Sequence, residues 1–120
     1  MEDTIQTITQ KIIAFRDQRN WQQFHNPKDL AISISLEAAK LLEVFQWTGA
    51  DTQAETKEKM DKIKEELADV LIYSLMMAHD LDLDVLQIIQ DKLAVNEKKY
   101  PVEQAYGKSL KYTAYQGDQK

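Results

Sequence analysis

Residues 65–73 read EELADVLIY, and the run continues SLMMA as far as Ala78. At about 100° per residue, the apolar side chains between Leu67 and Ala78 point in almost every direction, the pattern of a helix covered on all sides. Glu66 and Asp69 interrupt the start of this run. They are three apart, hence neighbours on one face, with Tyr73 one turn further along. An unpaired buried carboxylate is costly, so the pair calls for a cation, a metal or a hydrogen-bond donor.

The flanking sequence reads as further helices. Ile5, Ile8, Ile12 and Phe15 recur at spacings of three and four and predict a first helix over 4–18. RNWQQFHNPKD follows as a connection, and Asn26 and Pro27 carry the cap and first-turn chemistry of a second helix over 27–47, ended by Gly49. A third helix over 53–80 begins with the charged stretch AETKEKMDKIKEE and ends in the greasy run. Asp84 is the expected cap of a fourth helix that reaches Tyr100 and stops at Pro101. The fold class predicted is all-α, a four-helix bundle-type domain. It is expected to form one unit over 1–120, with an ordered core at 4–101 and a flexible tail at 102–120. The short loop between the second and third helices makes them antiparallel neighbours.

Composition narrows the function. The 120 residues contain no Cys, which excludes disulfides and zinc–thiolate sites. A net charge of −5 argues against broad binding to nucleic-acid polymers. No apolar run approaches the roughly 20 residues needed to span a bilayer, and MEDTIQTITQ lacks a basic start and an apolar signal core. A cytoplasmic protein without a membrane partner is expected. Glu55 to Lys64 reads as a solvated face with i,i+4 pairs. DLDLD at 80–84 imitates a calcium loop but has Val85 where Gly belongs and Asp91 where Glu belongs. Met60, Met76 and Met77 read as core filler. His25 and His79 have no second His at ligand spacing, which argues against a histidine metal site.

The second helix adds Glu37, Lys40 and Glu43. Glu37 shares its face with Leu41 and Val44 and therefore points inward. With the two helices antiparallel, Glu37, Glu66 and Asp69 can converge, and a hard divalent ion such as Mg2+ is the natural neutraliser. Such an ion also binds phosphate oxygens, which suggests phosphate chemistry. Paired acids on helices are also commonly solvated or salt-bridged, in which case the chain is a helical interaction module without a ligand.

ISLEAAKLLEVFQW, EELADVLIY and NEKKYP together resemble the MazG-like all-α nucleoside triphosphate pyrophosphohydrolases, in particular their small single-domain branch of dCTP-pyrophosphatase type. The likeness runs from about Trp21 to Pro101. It implies hydrolysis of a (d)NTP to the monophosphate and pyrophosphate, with Mg2+ (or Mn2+) held by Glu37, Glu66 and Asp69 as metal and catalytic residues. The implied role is house-cleaning of the nucleotide pool, with pyrimidines such as dCTP favoured. Asn96, Lys99 and Tyr100 match the family element that contacts phosphates and sugar, and Lys92 belongs with them as a substrate residue. Trp21 and Trp47 match positions lining the base pocket. The branch also implies a homo-oligomer, a dimer or a tetramer. Lys40 departs from the pattern, because it stands where the family has a second metal-ligand Glu. Glu43 lies about 240° around the helix from Glu37 and is badly aimed to replace it. The place of a preceding acid is held by Leu36. The departure opens an alternative, a catalytically weakened relative that still binds nucleotides.

Overall fold

Thr4 caps the first helix in the computed structural model, which describes residues 3–109. Its hydroxyl accepts from Thr7 N, and α1 runs Ile5–Gln18. Asn20 then adopts a left-handed conformation (φ 55°), tolerable for an Asn, and a 3-10 turn follows at Trp21–Phe24. Asn26 caps α2, Pro27–Glu43, by accepting from Asp29 N. Thr56 caps α3, Lys57–Asp80, by accepting from Lys59 N.

Helix α2 is shorter than its sequence predicts. The amides of Val44, Phe45 and Gln46 reach back only three residues, to Leu41, Leu42 and Glu43, so the helix tightens into turns. Trp47 then takes φ 67°, and the turn ends on a bulky left-handed residue before Gly49 does the same at φ 61°. Helix α3 likewise starts at Lys57 rather than near residue 53. Its forerunner is held by side chains. Lys59 Nζ donates to Asp51 Oδ2 at 2.8 Å and to Gln53 O at 3.2 Å, which holds the Asp51 carboxyl below its ordinary range.

The chain divides into two compact units, one ending at Leu83 and one beginning at Asp84. In the first, α3 packs most extensively against α2 and more lightly against α1. Leu30, Ile12 and Met76, one from each helix, form the buried core, with Ile13, Ile72, Tyr73, Leu75 and Met77 against it. Each fully buried aliphatic side chain is worth about 1.5–3 kcal/mol. The greasy run is not covered on all sides. Leu67 and Leu71 lie exposed on α3.

Arg16 locks the end of α1 to the end of α3. Its Nη1 donates to both Asp80 oxygens, at 2.8 and 2.9 Å, and its Nε to Asp17 at 3.2 Å. Removing Asp80's charge strands most of a buried guanidinium. Asp80→Asn is expected to lower unfolding stability by about 1–3 kcal/mol, read as a reduced urea midpoint at unchanged slope.

In the second unit Asp84 caps α4, Val85–Lys99, by accepting from Gln87 N, as its sequence predicts. No residue of α4 is buried, and Leu86, Ile89 and Leu93 form an exposed apolar stripe. Pro101 does more than stop α4. Its carbonyl accepts from Gln104 and Ala105 and opens a one-turn helix α5, Val102–Ala105, within the segment expected to be tail. The rest of that expected tail, from residue 110, lies outside the described residues. Among the described residues no helix is long and apolar enough to cross a membrane.

Candidate functional site

Helices α2 and α3 bring Glu37, Glu66 and Asp69 together. One carboxylate oxygen from each lies within 4.8 Å of the others. Three and four residue spacings explain the local placement. Glu66 and Asp69 share a face of α3, and that face meets the Leu41 side of α2 on which Glu37 sits. Glu66 is only 4% exposed, while Glu37 and Asp69 are half-buried.

The two glutamates are each half-satisfied. Lys40 Nζ donates to Glu37 Oε1 at 3.2 Å, and Lys62 Nζ lies 3.2 Å from Glu66 Oε1. Hydrogen bonding to Glu37 raises the Lys40 ammonium's pKa, as the bond to Glu66 does for Lys62. The other oxygens, Glu37 Oε2 and Glu66 Oε2, are buried without a partner among the described residues. Buried acceptors left open cost free energy unless something fills them. Hard anionic oxygens converging within a few ångström fit a hard divalent cation such as Mg2+ or Mn2+. Glu43 stays out of the cluster, exposed beside a different cleft, as its position on the helix requires.

Asp69 also borders an aromatic cleft of about 450 Å3 between α1, the 3-10 turn and α3. Ile12, Phe15, Trp21, His25, Ile72, Tyr73 and Met76 line it, with Lys11 at its edge. Asn20's left-handed turn folds Trp21 back onto Phe15, ring centroids 5.6 Å apart and edge to face. His25 meets Tyr73 in the same way at 6.3 Å, and its Nδ1 is buried without a partner among the described residues. His25 is the residue sequence reasoning passed over. Its signal lay in WQQFHNP, a His set among aromatics just before a helix cap, rather than in metal-ligand spacing.

The remaining residues singled out by sequence belong to other elements of the chain. Trp47 is 92% exposed on the turn after α2 and is not part of the aromatic cleft's lining. Lys92, Asn96 and Lys99 lie on α4 and Tyr100 is its C-cap, all in the second unit.

Fold and site together define a class: all-α chains that gather carboxylates from two packed helices beside an aromatic cleft. The MazG-like family profile matches residues 32–114, and the chain belongs to that family. Over 115 residues it is 35% identical to dCTP pyrophosphatase 1 of Mus musculus and 33% identical to that of Homo sapiens. Both matches cover 93% of this chain and 68% of the relative. A crystal structure of a pyrophosphatase from Archaeoglobus fulgidus superposes with a TM-score of 0.72 at 36% identity, covering 84% of this chain and 95% of that one.

Proposed function

We propose that the protein is a Mg2+- or Mn2+-dependent nucleoside triphosphate pyrophosphohydrolase that cleaves a (d)NTP to the monophosphate and pyrophosphate. Pyrimidine deoxynucleotides such as dCTP are its favoured substrates, as the names of its relatives suggest. One observation carries the reading: the half-open carboxylate cluster and the aromatic cleft share Asp69. A divalent ion held by Glu37, Glu66 and Asp69 supplies charge neutralisation at phosphate and a water acidified towards neutrality. The chain's own residues do the rest. Glu66, walled in by α2, fixes the cluster's geometry, and Asp69 sets the reacting phosphate at the mouth of the cleft. Trp21 offers a flat face to the base, worth roughly 1–3 kcal/mol on stacking. His25 Nδ1 and the Tyr73 hydroxyl offer polar contacts for its edge. Lys92, Asn96, Lys99 and Tyr100 serve phosphates and sugar, a role that rests on the family likeness. Such an enzyme acts in the cytoplasm as a guard of the free nucleotide pool.

Pyrophosphate release from a panel of dNTPs with Mg2+ tests this reading. Release led by dCTP supports it. Nucleotide binding without release supports instead a catalytically weakened relative, a reading favoured by the Lys40 ammonium already seated on Glu37.

The base contact has its own signature. If Trp21 stacks on the base, dCTP with Mg2+ quenches tryptophan fluorescence by a readily measured fraction, and inorganic tripolyphosphate does not. Trp21→Phe is expected to remove that quench, and emission unchanged at saturating dCTP removes Trp21 from the base site.

Assembly belongs to the same proposal. Leu36, Leu42, Leu67 and Leu71 in the first unit are exposed, as are Leu86, Ile89 and Leu93 in the second. So much apolar surface on a 13.9 kDa chain supports a homo-oligomer, a dimer or a tetramer built from dimers. Light scattering at micromolar concentration is expected to give a multiple of the chain mass, and a monomeric mass ends this claim.

A further inference from the structure

Lys40 and Lys62 approach the carboxylate cluster from different helices, one from α2 and one from α3. Each takes one oxygen of a cluster glutamate at 3.2 Å and leaves its other oxygen buried without a partner among the described residues, while Lys62 also lies 3.9 Å from exposed Glu65 outside the cluster. Ordinary ion pairs at i,i+3 or i,i+4 lie on a solvated face and join two mobile side chains. Here the acceptor side chains are only 12% and 5% exposed, whereas the lysines are 52% and 54% exposed. The fixed partner is the acid, and the ammonium is the part that can reach outward. Both lysines also border a second cleft of about 640 Å3, but Glu43, Glu58, Asp61 and Glu65 share its lining, so an anion is better held at the cluster than inside that cleft. Lys59 borders it too, but its ammonium is spent on Asp51 and Gln53.

Charge sets what this arrangement can hold. Three carboxylates and two ammoniums leave one negative charge, which one divalent ion turns into one positive. A second divalent ion has no further carboxylate in the cluster to offset it and meets the two ammoniums directly. The two lysines also sense each other, since Lys40's charge opposes that of Lys62, while Glu66 and Asp69 both favour the Lys40 ammonium.

We propose that Lys40 and Lys62 form a two-ammonium lip that limits the acidic cluster to a single divalent cation and grips the polyphosphate chain of the substrate beside that cation. The inference rests on the nucleotide reading above and deepens it. An ammonium on a flexible four-carbon stem, with three rotatable donors, can keep one hydrogen bond to its glutamate and give another to a phosphate oxygen. The lip therefore does part of the work that a second metal does elsewhere, as a fixed property of the chain.

The test separates metal from phosphate. Mn2+ is titrated into the full chain, with the free ion counted by electron paramagnetic resonance. Inorganic tripolyphosphate, as its Mn2+ complex, is then titrated calorimetrically at saturating Mn2+. Wild type is expected to bind one Mn2+ per chain. Lys40→Gln and Lys62→Gln should each bind Mn2+ several-fold tighter, because a repelling charge is gone, and tripolyphosphate about tenfold weaker. Opposite movements are the signature, since a damaged fold weakens both. Lys40→Arg should keep most of the tripolyphosphate affinity. Two Mn2+ per wild-type chain, tripolyphosphate binding unmoved by both substitutions, or a loss of both affinities overturns the lip. Because tripolyphosphate has no base and no nucleoside bond, failure of the dNTP panel leaves these readings interpretable. An active enzyme whose tripolyphosphate affinity ignores both lysines refutes the lip alone.

Discussion

Asp69→Asn is expected to cut pyrophosphate release more than a hundredfold and to abolish any rise in melting temperature on adding Mg2+. The substitution keeps the side chain's size and removes one of three anionic oxygens that lie within 4.8 Å of one another. Losing a residue that merely supports a metal ligand typically costs 10–100-fold in affinity or activity, so losing a ligand should cost more. For the wild type, Mg2+ at a hundred times its dissociation constant adds about 2.7 kcal/mol of stability. The variant should melt at the same temperature with and without Mg2+. It should also melt no lower than metal-free wild type, because one of three mutually repelling charges is gone while Lys40 and Lys62 remain. Thermal melts with and without Mg2+, beside a pyrophosphate assay, read both effects. A wild type indifferent to Mg2+ defeats the metal reading and leaves the two lysines as the cluster's whole neutralisation.

Much of this was legible in the sequence, for reasons that differ from residue to residue. Caps are local chemistry, so Asn26 and Asp84 could be placed before any tertiary information. Glu37 could be turned inward because Leu41 and Val44 mark its face, and the two helices do pack together, although the connection over 44–56 is longer than the short loop expected. Periodicity fails where cover depends on what packs nearby. The run from Leu67 to Ala78 has apolar residues all round, yet Leu67 and Leu71 stay exposed, since no pattern within a helix states how many neighbours it has. The end of α2 was missed because Trp47, a poor left-handed residue, makes the turn that Gly49 seemed placed to make. The aromatic cleft was out of reach for another reason. It joins α1, the 3-10 turn and α3, and His25 enters it only through the fold of the Asn20 turn. Lys62 was hidden inside the charge run 55–64, where an i,i+4 partner looks like any other until its Glu66 proves buried.

Lys40→Glu is the substitution that asks most of the site. In the wild type Lys40 is three residues after Glu37 on α2 and holds its Oε1. A carboxylate at that position recreates the spacing of the family's first element and adds a fourth hard oxygen donor to the cluster. It also replaces an attraction to Glu37 by a repulsion and takes the metal-free cluster from one negative charge to three. Metal-free stability should therefore fall, and Mg2+ affinity should rise by an order of magnitude or more. The Mn2+ count should move from one to two, since the added acid supplies the charge a second ion lacks in the wild type. Pyrophosphate release should rise with it, because a divalent ion polarises phosphate more strongly than an ammonium can. Lys62 still holds Glu66 in this variant, so the gain belongs to position 40. Melting without metal, Mn2+ stoichiometry and pyrophosphate release measured on one preparation decide the matter. If metal affinity and release both stay at wild-type values, Lys40 takes no part in the site, and its contact with Glu37 is an ordinary surface ion pair.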